Sequence, residues 1–78
     1  MKNVKMYSTT WCHFCKMAKN FFEENDIKYE EVNVEEDDQA AEEMVQKSGQ
    51  TGVPVIEIGD SIIIGFDKTA IKKELGMK

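Results

Sequence analysis

The sequence predicts an α/β fold in which a four-stranded mixed sheet is flanked by helices. Two patterns point to it. Apolar residues alternate with a period of two in some stretches and recur at three and four in others, in the order β-α-β-α-β-β-α. A helix-length connection between the first two strands implies a parallel pair, whereas Gly59-Asp60 between two apolar runs implies an antiparallel hairpin. The 78 residues suit one small domain spanning positions 1–78.

The first strand is expected from Lys2 to Ser8, with Val4, Met6 and Ser8 on one face and Lys5 and Tyr7 on the other. Thr9 and Thr10 form a polar loop, and either could cap the next helix. From His13 to Glu24, Phe14, Met17, Ala18, Phe21 and Phe22 fall at helical spacing and predict one buried face. Asn25-Asp26 marks a stop. A second strand is expected from Ile27 to Val34, at a sheet edge because Glu30 and Glu31 stand side by side. Glu35-Glu36-Asp37-Asp38 is expected to open a second helix, since acidic residues suit the positive end of the helix dipole. Ala40, Ala41, Met44, Val45 and Ser48 are its predicted inner side, and Gly49 its end. Val55 to Ile58 and Ser61 to Ile64 form the hairpin. Asp67 caps a last helix with Ala70, Ile71 and Leu75 as its apolar stripe and Gly76 as its stop.

Composition narrows the function classes. The formal net charge is −5, with 15 acidic against 10 basic residues, and every basic residue is lysine. An acidic chain without arginine lacks the fork that reads bases and grips phosphates, so no nucleic-acid partner is expected. No run of 18 apolar residues offers a membrane span. The N-terminus enters the first strand without the apolar stretch of a secretory signal, and two cysteines are too few for a stapled secreted scaffold. A reducing cytoplasm is the expected compartment.

The chemistry is concentrated in Trp11-Cys12-His13-Phe14-Cys15, which holds both cysteines. Thiols at this spacing can close into a small disulfide ring and reopen. Cys12 falls where a strand gives way to a helix, and unpaired helical N–H groups there favour its thiolate. A thiolate is the form that attacks disulfides, so Cys12 reads as the nucleophile and Cys15 as its resolver. Lys16 after the second cysteine excludes a c-type haem site. A mononuclear zinc site needs four ligands, and two cysteines with the single His13 supply three at most. A metal or iron–sulfur cluster would need two chains, which leaves a dimeric cluster carrier as a non-enzymatic alternative. A protonated His13 would stabilise the thiolate. Phe14 is a candidate contact for partners or, equally, a core residue. Trp11 is a candidate contact whose ring is expected to pack against its own loop.

The element order, Tyr7-Ser8, Cys12-His13-Phe14-Cys15, Thr51-Gly52-Val53-Pro54 and Gly65-Phe66-Asp67 together resemble a glutaredoxin, the short version of the thioredoxin fold. The resemblance covers nearly the whole chain. It implies a monomeric thiol–disulfide oxidoreductase with no bound cofactor, acting on disulfide-containing proteins or glutathione mixed disulfides. It also implies that Pro54 is cis beside Cys12, and that Thr51, Val53, Pro54, Gly65, Phe66 and Asp67 border the groove for a peptide or glutathione. His13-Phe14 replaces the frequent Pro-Tyr, Thr9 stands where many glutaredoxins carry lysine, and Ile64-Gly65 replaces a glycine pair. Gly65-Phe66 is similar to the glutaredoxin-like hydrogen donors of ribonucleotide reductase, which take electrons from a flavoprotein reductase. Glutathione and a thioredoxin-type reductase therefore both stand as electron donors. Met6 occupies the place of the buried aspartate of thioredoxins, so the proton of Cys15 is expected to leave to water or to the departing thiolate.

Overall fold

A computed structural model describes residues 3–77. Its elements are β1 (Val4–Ser8), α1 (His13–Glu24), β2 (Glu30–Asn33), α2 (Asp38–Ser48), β3 (Val55–Ile58), β4 (Ser61–Ile64) and α3 (Lys68–Glu74). The order is the one read from the sequence. The expected first residue of β1, Lys2, lies outside the described residues. The sheet runs β2-β1-β3-β4, with β1 parallel to β2 and antiparallel to β3, and β3 antiparallel to β4. β2 is an edge strand, as its paired glutamates suggest.

Alternation along the central strand builds two cores. Val4 and Met6 join Ala18, Phe21 and Phe22 of α1, Ile56, Ile58 and Ile63 of the hairpin, and Ile71 of α3. Tyr7 faces the other way and meets Ala40 and Met44 of α2 and Val55 of β3. Helices thus cover both faces, and Tyr7, placed on the Lys5 side of the strand by the alternation, is fully buried.

Four sequence expectations are corrected. β2 begins at Glu30 rather than Ile27, because residues 25–29 serve to end α1: Ile27 donates its N–H to Phe22 O at 2.8 Å, and Asp26 adopts a φ of 55°. α2 begins at Asp38 rather than Glu35. Asn33 Oδ1 accepts the Glu35 N–H at 2.9 Å and holds a turn there, while Asp37 is the cap, accepting from Ala40 N at 3.1 Å. Val45 is exposed, because Ala40 and Met44 stand four residues apart and define the inner line from which Val45 is turned by about 100°. Phe14 and Met17 are also exposed, because the buried line of α1 runs through Cys15, Ala18, Phe21 and Phe22. β2 ends at Asn33, one residue short of the expected Val34, and the other boundaries agree. Gly49 ends α2 at φ 73°, Gly59 turns the hairpin at φ 58°, and Asp67 Oδ1 caps α3 by accepting from Ala70 N at 3.1 Å.

The α2 face carries a charged network over the buried ring of Tyr7. Glu43 Oε1 accepts from Tyr7 Oη at 2.8 Å, Lys47 Nζ at 2.9 Å and Lys5 Nζ at 3.3 Å. Lys47 also reaches both oxygens of Glu57 at 3.1 Å. The Lys47 hydrogen bond, followed by those from Tyr7 and Lys5, lowers the Glu43 carboxyl to about 2 from its ordinary 4.5.

Two consequences are measurable. Ile56 is fully buried, so Ile56→Ala should cost about 2–5 kcal/mol. In a domain this small that displaces the thermal midpoint by roughly 4–8 °C for each kcal/mol. A carboxyl whose folded-state pKa is depressed stabilises the fold above its unfolded-state value and loses that contribution as pH falls through the folded one. Glu43→Gln should therefore lower the thermal midpoint at pH 7, with the gap to wild type closing between pH 4.5 and about 2. Circular-dichroism melts across that range read both effects.

Candidate active site

The site lies at the C-terminal end of β1. The strand ends at Ser8, the chain turns through Thr9 and Thr10, and α1 starts at His13. Cys12 is the residue that caps this helix. Its backbone is extended, at φ −105° and ψ 111°, and its Sγ accepts the Cys15 N–H at 3.1 Å. Cys12 O accepts the Lys16 N–H at 3.2 Å, the first turn of the helix. Serine or aspartate more often fills this place. A sulfur there receives an N–H hydrogen bond and the positive end of the helix dipole, both of which favour the charged form once the disulfide opens.

Cys12 and Cys15 are joined by a disulfide, with their Cα atoms 5.1 Å apart. Cys15 is the deeper of the two, at 3% exposed against 9% for Cys12. Trp11 corrects one expectation: it is 86% exposed, so its ring does not pack against the loop. Phe14 is 57% exposed, which decides between partner contact and core in favour of an accessible ring, and His13 packs edge-on against it at 5.6 Å. Apolar rings therefore stand on both sides of Cys12 in sequence.

Strand register gathers the other predicted residues. Tyr7 pairs with Val55 in the antiparallel ladder, which sets Ser8 against Pro54 at the same end of the sheet. Ile64 pairs with Val55, and the next residue, Gly65, donates its N–H to Pro54 O at 2.8 Å. The cysteine loop, Val53-Pro54 and the Gly65–Asp67 segment thus share one end of the sheet. The Val53-Pro54 bond is cis, as the resemblance implied. Among the described residues nothing hydrogen-bonds to the N–H or C=O of Val53. Thr51 is exposed in the loop before it, where the Gln50 side chain holds Gly52: Oε1 accepts the Gly52 N–H, and Nε2 donates to Gly52 O at 3.0 Å. Phe66 packs into the α1 core, 5.9 Å from the Phe21 ring, and Asp67 is engaged as the α3 cap.

The structure adds a flank that sequence reasoning missed. On the β2 side of the cysteines lies a cavity of about 340 Å³ lined by Thr9, Thr10, Cys12, Cys15, Lys16, Lys19, Glu31 and Asn33. Glu31 accepts a hydrogen bond from Ser8 Oγ at 3.0 Å and pairs with Lys19 Nζ at 3.0 Å. That hydrogen bond and charge raise the Lys19 ammonium above its ordinary range. Asn33 Nδ2 donates to Thr10 Oγ1 at 3.0 Å and ties the end of β2 to the cysteine loop. The available signal was the i, i+4 spacing of Cys15 and Lys19, combined with the parallel register that sets Glu31 against Met6.

Among the described residues no group of three histidine, cysteine, aspartate or glutamate side chains could hold a metal ion, and no helix is long and apolar enough to cross a membrane. What the site offers is a disulfide-linked cysteine pair, a charged polar cavity on one side and an unpaired backbone segment on the other.

Comparison with known proteins agrees with this geometry. A profile of the glutaredoxin family matches residues 4–63. An uncharacterised glutaredoxin-like 8.6 kDa protein in a rubredoxin operon of Clostridium pasteurianum is 44% identical over 70 residues, covering 90% of this chain and 93% of that one. The crystal structure of a glutaredoxin from Archaeoglobus fulgidus superposes with a TM-score of 0.85 at 26% identity, covering 96% of this chain and 87% of the other. NrdH-redoxin of Escherichia coli, a glutaredoxin-like protein with a thioredoxin-like activity profile, superposes with a TM-score of 0.82 at 27% identity, over 91% and 92% of the two chains. The Cys12–Cys15 disulfide at the strand–helix junction, the cis-proline segment at the same sheet end and the match across most of the chain place this protein in the glutaredoxin family.

Proposed function

We propose that this protein reduces disulfides in proteins, or in glutathione adducts of proteins, and cycles as an electron carrier in the cytoplasm as a monomer without a bound cofactor. The observation that carries the reading is the placement of Cys12 Sγ as the helix-capping acceptor, 3.1 Å from the Cys15 N–H. The Cys12 thiolate attacks one sulfur of the substrate disulfide, and the other sulfur leaves as a thiolate. The mixed disulfide lies along Val53, whose free N–H and C=O can pair with an extended peptide as one more strand. Trp11, His13, Phe14, Thr51, Pro54 and Gly65 border that groove, with Phe66 and Asp67 supporting its far wall. Cys15 then attacks Cys12, releasing reduced substrate and closing the Cys12–Cys15 disulfide. A donor returns two electrons and restores the dithiol.

A second reading concerns that donor. In place of glutathione, a flavoprotein reductase of the thioredoxin type would reset the pair. Two features of the chain favour it. Thr9 is a neutral residue where a lysine could hold a glutathione carboxylate, and the exposed rings of Trp11 and Phe14 suit a protein surface better than a polar tripeptide. The likeness to NrdH-redoxin, with its thioredoxin-like activity profile, supports the same choice.

The tests follow the electrons. Cys12→Ser should abolish turnover of a protein disulfide. Cys15→Ser should still attack but accumulate as a mixed disulfide visible by intact mass. Full turnover by Cys12→Ser would overturn the mechanism. Oxidised protein supplied separately with glutathione, and with NADPH plus a thioredoxin-type reductase, assigns the donor by which mixture regenerates free thiols at least tenfold faster.

A further inference from the structure

The mechanism assigns none of the protein's own groups to the proton of Cys15, which was expected to leave to water or to the departing thiolate. Cys15 must lose it to become a nucleophile, yet its side chain is among the most buried near the site. Solvent reaches it through the cavity on the β2 side, and a polar space of this size holds water. The one carboxylate lining that cavity is Glu31. It sits opposite Met6 in register, on the sheet face that α1 covers.

Its surroundings fix it there. Ser8 Oγ, almost fully buried beneath the cysteine turn, donates to Oε2, and Lys19 Nζ holds Oε1. Lys19 stands one helical turn beyond Cys15 on the same side of α1. Lys16 also lines the cavity, and Tyr29 and Glu23 add their fields from the β2 approach and from α1. The remaining lining groups, Thr9, Thr10 and Asn33, are neutral.

We propose that Glu31 is the proton acceptor for Cys15 during resolution of the mixed disulfide, with Ser8 and Lys19 as positioning residues that hold its carboxylate toward the cavity. The proposal rests on the dithiol reading above. In this step Cys15 Sγ forms a bond to Cys12 Sγ, and the bond from Cys12 Sγ to the substrate sulfur breaks. The substrate leaves as a thiolate with the electron pair of that bond. The Cys15 proton passes through the cavity water to the Glu31 carboxylate, and from there to solvent or to the departing thiolate. A negative charge leaves Glu31 as one develops on the attacking sulfur, so like charges never build up side by side in the cavity.

The test separates the two sulfurs in time. Reduced protein is mixed in stopped flow with an aromatic disulfide whose thiolate absorbs visible light. Attack by Cys12 releases the first thiolate and closure by Cys15 the second. With the disulfide in excess, so that attack by Cys12 outruns closure, the second-phase rate divided by the first-phase rate defines a ratio, and in the wild type the second phase should hold level across neutral pH. In Glu31→Gln that ratio should fall by about tenfold or more, the lower range for loss of a general base. Its second phase should rise about tenfold per pH unit, as expected when hydroxide replaces the lost base. Glu31→Asp keeps the charge and should recover part of the ratio. Lys19→Met removes a positioning partner but keeps the carboxylate, so its ratio should fall less than that of Glu31→Gln while its second phase stays level across neutral pH.

An unchanged ratio and profile in Glu31→Gln overturns the proposal. So does a wild-type second phase that already climbs tenfold per pH unit, a result that needs no variant to fold. Absence of the first phase in the wild type would instead refute the dithiol mechanism itself.

Discussion

A single N–H to sulfur contact at the start of α1 governs what this molecule can do. A helix must satisfy its first backbone donors, and here a reactive side chain does so. The same contact orients Cys12 and biases its charge, and it fixes the spacing at which Cys15 follows inside the first turn. The rest of the fold serves to keep that turn in place. β1 is paired on both edges and covered on both faces, so its end is a rigid point from which the loop and helix depart. Side chains carried on such a base hold their geometry better than those on free loops.

Around that point the two neighbours of β1 contribute different chemistry. The segment leading into β3 brings the unpaired N–H and C=O of Val53, suited to holding an extended chain. β2 and α1 bring side chains, a carboxylate and an amide from the strand and an ammonium from the helix, which line the cavity with charged and polar groups. Division of labour across a central strand follows from the topology, because β1 is parallel to one neighbour and antiparallel to the other. The start of β3 and the end of β2 consequently meet at the same edge of the sheet.

Much of this was legible in the residues. Period-two and helical spacing gave seven elements in the right order, and Asp67, Gly49 and the Gly59-Asp60 turn marked boundaries that the backbone respects. Errors fell where local chemistry competed with pattern. Asn33 captured the Glu35 N–H and delayed α2, and the close of α1 consumed Ile27. Val45, Phe14 and Met17 are apolar but lie beside, not on, the buried lines of their helices. Along the chain only the i, i+4 spacing of Cys15 and Lys19 hinted at the Ser8–Glu31–Lys19 cluster, because its members are 23 and 12 positions apart and meet only through strand register and helix packing. Glu31 read along the chain was one more edge-strand charge.

Gln50 gives the loop before Val53 an unusual economy of motion. Its amide closes two hydrogen bonds on Gly52, and a Cβ placed at Gly52 would meet Gln50 Oε1 at 2.7 Å. The bare glycine is what lets that brace shut. The segment that leads into Val53 therefore has fewer conformations open to it than a bare glycine loop would have.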